Sequence, residues 1–169
     1  MIVETEAYRG ADDRACHAYP NKLTPRNAIM FNNGGVAYVY LCYGVHFLFN
    51  VVTGPINQPD AVLIRGIKPV EGLPAMLQRR KLSPSLLNGA PQKKIASKLA
   101  SGPGSLAQAL GININYNGTD LTGNTIYIED IGLNPQSNQL IEVTTRVGLS
   151  ARAGSCALRP WRLYWCGEK

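Results

Sequence analysis

Near the start of the chain, Ile2-Val3-Glu4-Thr5-Glu6-Ala7-Tyr8 reads as a β-strand with two unlike faces. Successive side chains of a strand point to opposite sides, so Glu4, Glu6 and Tyr8 share one surface while Val3, Thr5 and Ala7 share the other. Two carboxylates and an aromatic ring are thus delivered together. Like charges on one face repel and each resists burial, which favours a chemical reason for them over a packing reason. The plainer alternative is an edge strand with a solvated face.

A chain of 169 residues fits one domain and is long enough to bury a substantial core. With 45% hydrophobic and 17% charged residues it belongs with folded globular proteins, and no apolar run reaches the length of a membrane span. A soluble protein without a membrane partner is expected. The net charge of +6 suits a polyanionic partner. Acidic residues open the chain (Glu4, Glu6, Asp12, Asp13), whereas Arg65, Lys68, Arg79, Arg80, Lys81, Lys93, Lys94 and Lys98 crowd its middle. That arrangement predicts a phosphate-facing surface interrupted by a carboxylate pocket. Cys16, Cys42, Cys156 and Cys166 form no C-x-x-C pair and have only His17 and His46 as companions, which argues against zinc. Without a secretory leader pattern, free thiols in a reducing, intracellular compartment are expected. A thiol nucleophile at Cys16 beside His17 is disfavoured, because neighbours on an extended chain point apart.

After the first strand, residues 9 to 21 read as a loop carrying His17. Thr24-Pro25 resembles an N-cap with Pro in the first helical position, predicting a short helix to Met30. Asn32-Asn33-Gly34-Gly35 is a turn signal. It launches a strand from Val36 to Cys42, which turns at Tyr43-Gly44 into a second strand from Val45 to Thr53, a hairpin with an aromatic tip. A large ring at a hairpin turn cannot reach its own core, so it covers a neighbouring surface or meets a partner. Asp60 to Arg65 is a further strand. Helices are predicted over Val70 to Lys81, Gln92 to Leu99 and Ser105 to Leu110, with Arg79-Arg80-Lys81 either capping the first of them or binding phosphate. Ser101-Gly102-Pro103-Gly104 offers backbone N–H groups at a helix start, yet it lacks the lysine of a nucleotide-binding loop. Strands near Ile126 to Glu129, Leu140 to Val147 and Arg162 to Trp165 complete an α+β domain: a curved, mostly antiparallel sheet flanked by short helices.

Glu6 with Tyr8 and His17, Tyr40 with Tyr43 and Asn50, and Arg65 after an apolar strand invite one explanation. Aromatic rings sandwich a planar base, His and Asn read or restrict its edge, and a carboxylate with an arginine holds and polarises water. Singly, each residue has an ordinary structural explanation in cross-strand packing or hydrogen bonding.

The segments Ile2-Val3-Glu4-Thr5-Glu6-Ala7-Tyr8, His17, Thr24-Pro25-Arg26-Asn27, Met30-Phe31, Tyr38-Val39-Tyr40 with Tyr43-Gly44, Asn50, Arg65, Ser101-Gly102-Pro103 and Arg146-Val147-Gly148 resemble, in order, the alkyladenine (3-methyladenine) DNA glycosylase family. The resemblance implies Glu6 as the general base that deprotonates a water attacking C1′ of a flipped nucleotide, with Arg65 and the backbone carbonyl of Val147 holding that water. It implies Tyr8 on one face of the damaged purine, His17 and Tyr40 on the other, and Asn50 against the exocyclic amine of guanine. Tyr43 is implied as the wedge filling the gap in the duplex, on a hairpin that inserts into DNA. No lysine lies in the matching pocket segments, so a monofunctional hydrolase is implied. It would leave an abasic site, need no cofactor or metal, and act as a monomer on double-stranded DNA containing damaged purines, in bacterial cytoplasm or a nucleus. Family members also carry a segment ahead of Val3-Glu4-Thr5, so an exposed edge beside the strand bearing Glu6 is expected. Two other readings compete: a non-catalytic binder of distorted nucleic acid, for which Glu6 has no use, and a carbohydrate glycosidase using Glu4 and Glu6, whose backbones would lie roughly 6.5 to 7 Å apart. The basic surface and the tyrosine wedge favour DNA.

Overall fold

The alternating segment forms β1, Ile2–Arg9, and lies inside a sheet rather than at its edge. The structure, a computed structural model, describes residues 1–87, 95, 98–132 and 141–166. Five more strands follow: β2 (Ala37–Cys42), β3 (His46–Val52), β4 (Asp60–Ile67), β5 (Ile141–Thr144) and β6 (Arg162–Trp165). They make one open sheet in the order β2-β3-β4-β1-β6-β5, with every pairing antiparallel. Among the described residues, helices α1 (Leu73–Arg79) and α2 (Pro103–Leu110), with further helical residues at 95 and 98–100, complete the expected α+β architecture.

The period of two gives the sheet two different faces. On one, Val39, Phe49 and Ile64 pack with Leu77, Leu106 and Ala107 of the helices to form the larger core. Each of the larger buried side chains contributes about 1.5–3 kcal/mol. On the other, Tyr38, Val52 and Ala61 pack with Cys16, Ala18 and Met30 from the connection between β1 and β2. Register sets Glu6 beside Leu63, Leu63 beside Asn50 and Asn50 beside Tyr38, a row running across this second face.

Several expectations change. The edge expected beside Glu6 is covered: β6 pairs with Glu4 to Glu6, and the Trp161 carbonyl accepts the Ala7 N–H at 2.9 Å. The helix expected from Thr24 is a single 3-10 turn, Ala28–Phe31. Asn27 explains it, because its Oδ1 accepts the Thr24 N–H at 2.7 Å while its Nδ2 donates to the carbonyls of Lys22 and His17, so a side chain replaces the helical ladder. No strand forms at Ile126 to Glu129, where Ile126 packs against the core but Tyr127 and Ile128 are exposed. Of the helix expected over Gln92 to Leu99, most lies outside the described residues, as does Leu140. Within the central basic run, Arg79 donates to the Ala109 carbonyl at 3.1 Å and Arg80 to Gln108 at 2.6 Å, which ties α1 to the C-terminal half of α2.

Candidate active site

A cleft of about 1150 Å³ opens over the second face of the sheet. Tyr8, His17, Tyr40, Tyr43, Asn50, Arg65 and Val147 all line it. Glu6 lies beneath them and is 0% exposed. The structure therefore brings every sequence-predicted site residue to one place, although β1, β3, β4 and the segment around Val147 are far apart in the chain.

Burying a carboxylate costs several kcal/mol unless it is paired and hydrogen-bonded. Glu6 is both. Its Oε2 accepts the Tyr8 hydroxyl and its Oε1 the Val147 N–H, each at 2.7 Å, while Arg65 Nε stands 3.4 Å from Oε1. Val147 thus meets Glu6 through its amide N–H. Arg65 is held between carboxylates, since its Nε also donates to Glu4 at 2.8 Å. Glu4 accepts from Arg162 as well, at 2.7 Å. Burial raises the Glu4 carboxyl, but the hydrogen bonds from Arg65 and Arg162 outweigh it and leave its pKa below the ordinary value. Two carboxylates on one strand face are tolerated because two guanidiniums lie among them.

One part of the cleft lining is aromatic. The His17 and Tyr40 rings meet edge to face at 4.6 Å, Tyr38 and Tyr40 lie 5.3 Å apart, and Arg26 sits over the Tyr40 ring at 5.3 Å. Tyr38, which the sequence reading left as a strand residue, bonds His17 Nδ1 through its hydroxyl at 2.9 Å. Enclosure of the imidazole, with the positive charge of Arg26 nearby, lowers the His17 pKa to about 4. A nuclear magnetic resonance titration is expected to find His17 neutral down to about pH 5; a midpoint near the unperturbed 6.5 would mean the aromatic wall is open to water. Because the folded pKa is depressed, this group lowers stability as pH falls from 6.5 towards 4. His17 is exposed as a residue, so solvent screening keeps that loss small.

Asn50 is buried at 4% exposure, and its Nδ2 donates to the Tyr38 carbonyl at 3.0 Å, which fixes the amide in the pocket floor. At the cleft mouth, Tyr43 and Gly44 have φ of +51° and +71°, and the Val45 N–H donates to the Cys42 carbonyl at 3.1 Å. Such turns favour Asn, Asp or Gly, yet Tyr43 occupies the first position with its ring 89% exposed. Tyr43→Asn is therefore expected to stabilise the fold by about 1 kcal/mol. Urea unfolding measures it, and a lower midpoint would show that the ring packs on the protein.

The cleft lining carries Arg14, Lys22, Arg26, Arg65 and Arg152 and, among the described residues, no Asp or Glu. Except for Arg65, these are not the central basic residues singled out from the sequence; single scattered cations leave no local signal. Gly104 joins the rim against His46, where a Cβ would stand 2.8 Å from the imidazole. Among the described residues no cluster of His, Cys, Asp or Glu could hold a metal ion, and no helix is long and apolar enough to cross a membrane. All four cysteines are free.

The family profile described as Methylpurine-DNA glycosylase (MPG) matches residues 1–169. A curated protein of Chlamydia felis is 44% identical over 162 residues, covering 96% of this chain and 76% of its own length. One from Carboxydothermus hydrogenoformans is 45% identical over 168 residues, 99% of this chain and 78% of its own length. One from Bacillus cereus is 36% identical over 169 residues, 99% of this chain and 80% of its own length. Each bears the name "Putative 3-methyladenine DNA glycosylase".

Proposed function

Because this chain belongs to the methylpurine-DNA glycosylase family of DNA repair enzymes, we propose that it excises alkylated purines such as 3-methyladenine and 7-methylguanine, and the neutral lesions hypoxanthine and ethenoadenine, from duplex DNA. The observation that carries this reading is Glu6, a carboxylate held without exposure beneath an acid-free, aromatic-walled cleft. The damaged nucleotide flips into the cleft, its purine between Tyr8 and the pair His17 and Tyr40, at an unstacking cost of a few kcal/mol. Tyr43 offsets that cost by filling the gap in the stack. Water attacks C1′ as the C1′–N bond breaks, its proton passes to Glu6, and the bonding electrons leave with the purine. A cationic base departs neutral, so the enzyme's main task is to stabilise positive charge developing on the sugar beside an anionic carboxylate. Arg65 and the Val147 backbone hold the water against Glu6. Asn50 closes the floor and penalises the N2 amine of guanine, a penalty that the cationic 7-methylguanine offsets by leaving more readily than the unmodified base.

Lys22, outside the segments that carried the family resemblance, also lines the cleft, and its carbonyl anchors Asn27. We assign its ammonium to phosphate contact rather than to a Schiff base. The decisive experiment is single-turnover incubation with a duplex holding one 3-methyladenine or hypoxanthine, followed by alkali and gel analysis. Base release with cleavage only after alkali, and no adduct with borohydride, supports a monofunctional hydrolase; an intact lesion after incubation at saturating enzyme overturns the reading.

For Arg152 and Lys22, neither of them ion-paired among the described residues, a specific electrostatic outcome follows. Each replacement by Ala is expected to lessen the slope of log K against log salt by about 1. Fluorescence anisotropy at several salt concentrations measures it, and an unchanged slope removes that residue from the DNA-binding surface.

A further inference from the structure

The two hydrogen-bond donors to the Glu6 carboxylate, the Tyr8 hydroxyl and the Val147 N–H, touch or adjoin a single guanidinium. Arg146 has its Cζ 4.7 Å from the centre of the Tyr8 ring, precedes Val147 in the chain, and donates from Nη1 to the Ala7 carbonyl at 2.8 Å. Ala7 lies between Glu6 and Tyr8, just where the β6 pairing of β1 stops, so the guanidinium continues the edge support of the strand beyond its last paired residue. Asp13 clamps Arg146 from the loop carrying His17: Nη2 donates to Oδ1 at 2.8 Å and Nη1 to Oδ2. Both side chains are 0% exposed. One buried ion pair thus joins the strand of the carboxylate, the loop of the base-reading histidine and the peptide that meets Glu6, without itself lining the cleft.

We propose that Arg146, clamped by Asp13, is a positioning residue that fixes Glu6 and Tyr8 relative to Val147, and so sets the excision rate rather than the affinity for DNA. The inference rests on the reading of Glu6 as general base. Errors of about 1 Å in such a constellation cost about 10²-fold in rate. Replacing a buried ion pair by apolar residues of similar volume is often neutral or stabilising. The double variant Asp13→Leu/Arg146→Met therefore separates packing from positioning.

Thermal melting, lesion-duplex anisotropy and single-turnover excision are measured on this variant, on Arg146→Lys and on Glu6→Gln. Arg146→Lys keeps the charge pair and therefore the fold, but loses the forked contacts to Asp13 and Ala7. For both Arg146 variants we expect excision to fall at least tenfold while lesion affinity stays within threefold, with each variant still melting cooperatively. A double variant or Arg146→Lys that excises at the wild-type rate overturns the proposal, as does a loss of affinity matching the loss of rate. If the double variant fails to fold, Arg146→Lys alone decides. Glu6→Gln keeps the two readings apart: active Glu6→Gln refutes the general base, whereas inactive Glu6→Gln beside fully active Arg146 variants refutes only the positioning role.

Discussion

Glu6→Gln is expected to lower single-turnover excision by about 10² to 10⁴ while leaving affinity for a lesion duplex within a few-fold, the usual consequence of removing a general base. The geometry makes the substitution a clean one. The amide oxygen can still accept the Val147 N–H, and the amide nitrogen can donate to the Tyr8 oxygen once that hydroxyl turns its proton away. Arg65 keeps Glu4 as its anionic partner, so no buried cation is left unpaired. What the amide lacks is basicity. Excision within a few-fold of wild type would end the assignment. Glu4→Gln is the matched control: Glu4 bridges Arg65 and Arg162, and its loss should be felt only through Arg65. An equal effect would exchange the roles of the two carboxylates.

Asp13→Ala is expected to destabilise the folded protein by about 3–5 kcal/mol, because it strands a buried guanidinium. Arg146 would keep the carbonyls of Ala7 and Cys156, at 2.8 and 2.9 Å, and its stacking on Tyr8 and Trp161, but carbonyl dipoles do not neutralise a full charge. Since domains are stable by only about 5–15 kcal/mol, such a loss is a large share of the total. Urea unfolding followed by circular dichroism measures it. A shift below 1 kcal/mol would mean that water reaches Arg146, and would remove the basis for treating the pair as buried.

The strand carrying Glu4, Glu6 and Tyr8, the hairpin with Tyr43 at its tip, the final strand and the helix before Gly111 are local features. Alternation, turn chemistry and a left-handed glycine cap at φ +74° fix them within a few residues, which is why they were legible in the sequence. The helix after Thr24 was misread because Asn27 looks like any polar residue until its three hydrogen bonds to distant and neighbouring backbone are seen. The residues that meet at the cleft could be grouped from the sequence because strand alternation places Glu6 and Tyr8 on one face and the motif resemblance supplies the rest. Their surroundings could not be read in this way. Whether β1 has a neighbour depends on β6 from the far end of the chain, and whether Glu6 is buried depends on Val147 arriving above it. Arg79 and Arg80 find acceptors on α2, and unconnected cations such as Arg14 and Arg152 come together at the cleft, neither of which a local reading shows. Sequence determines what is local, because backbone preference and side-chain alternation act within a few residues. Partners for buried charges are decided only by the tertiary structure, because Coulomb attraction and desolvation depend on distance in space and not on separation along the chain.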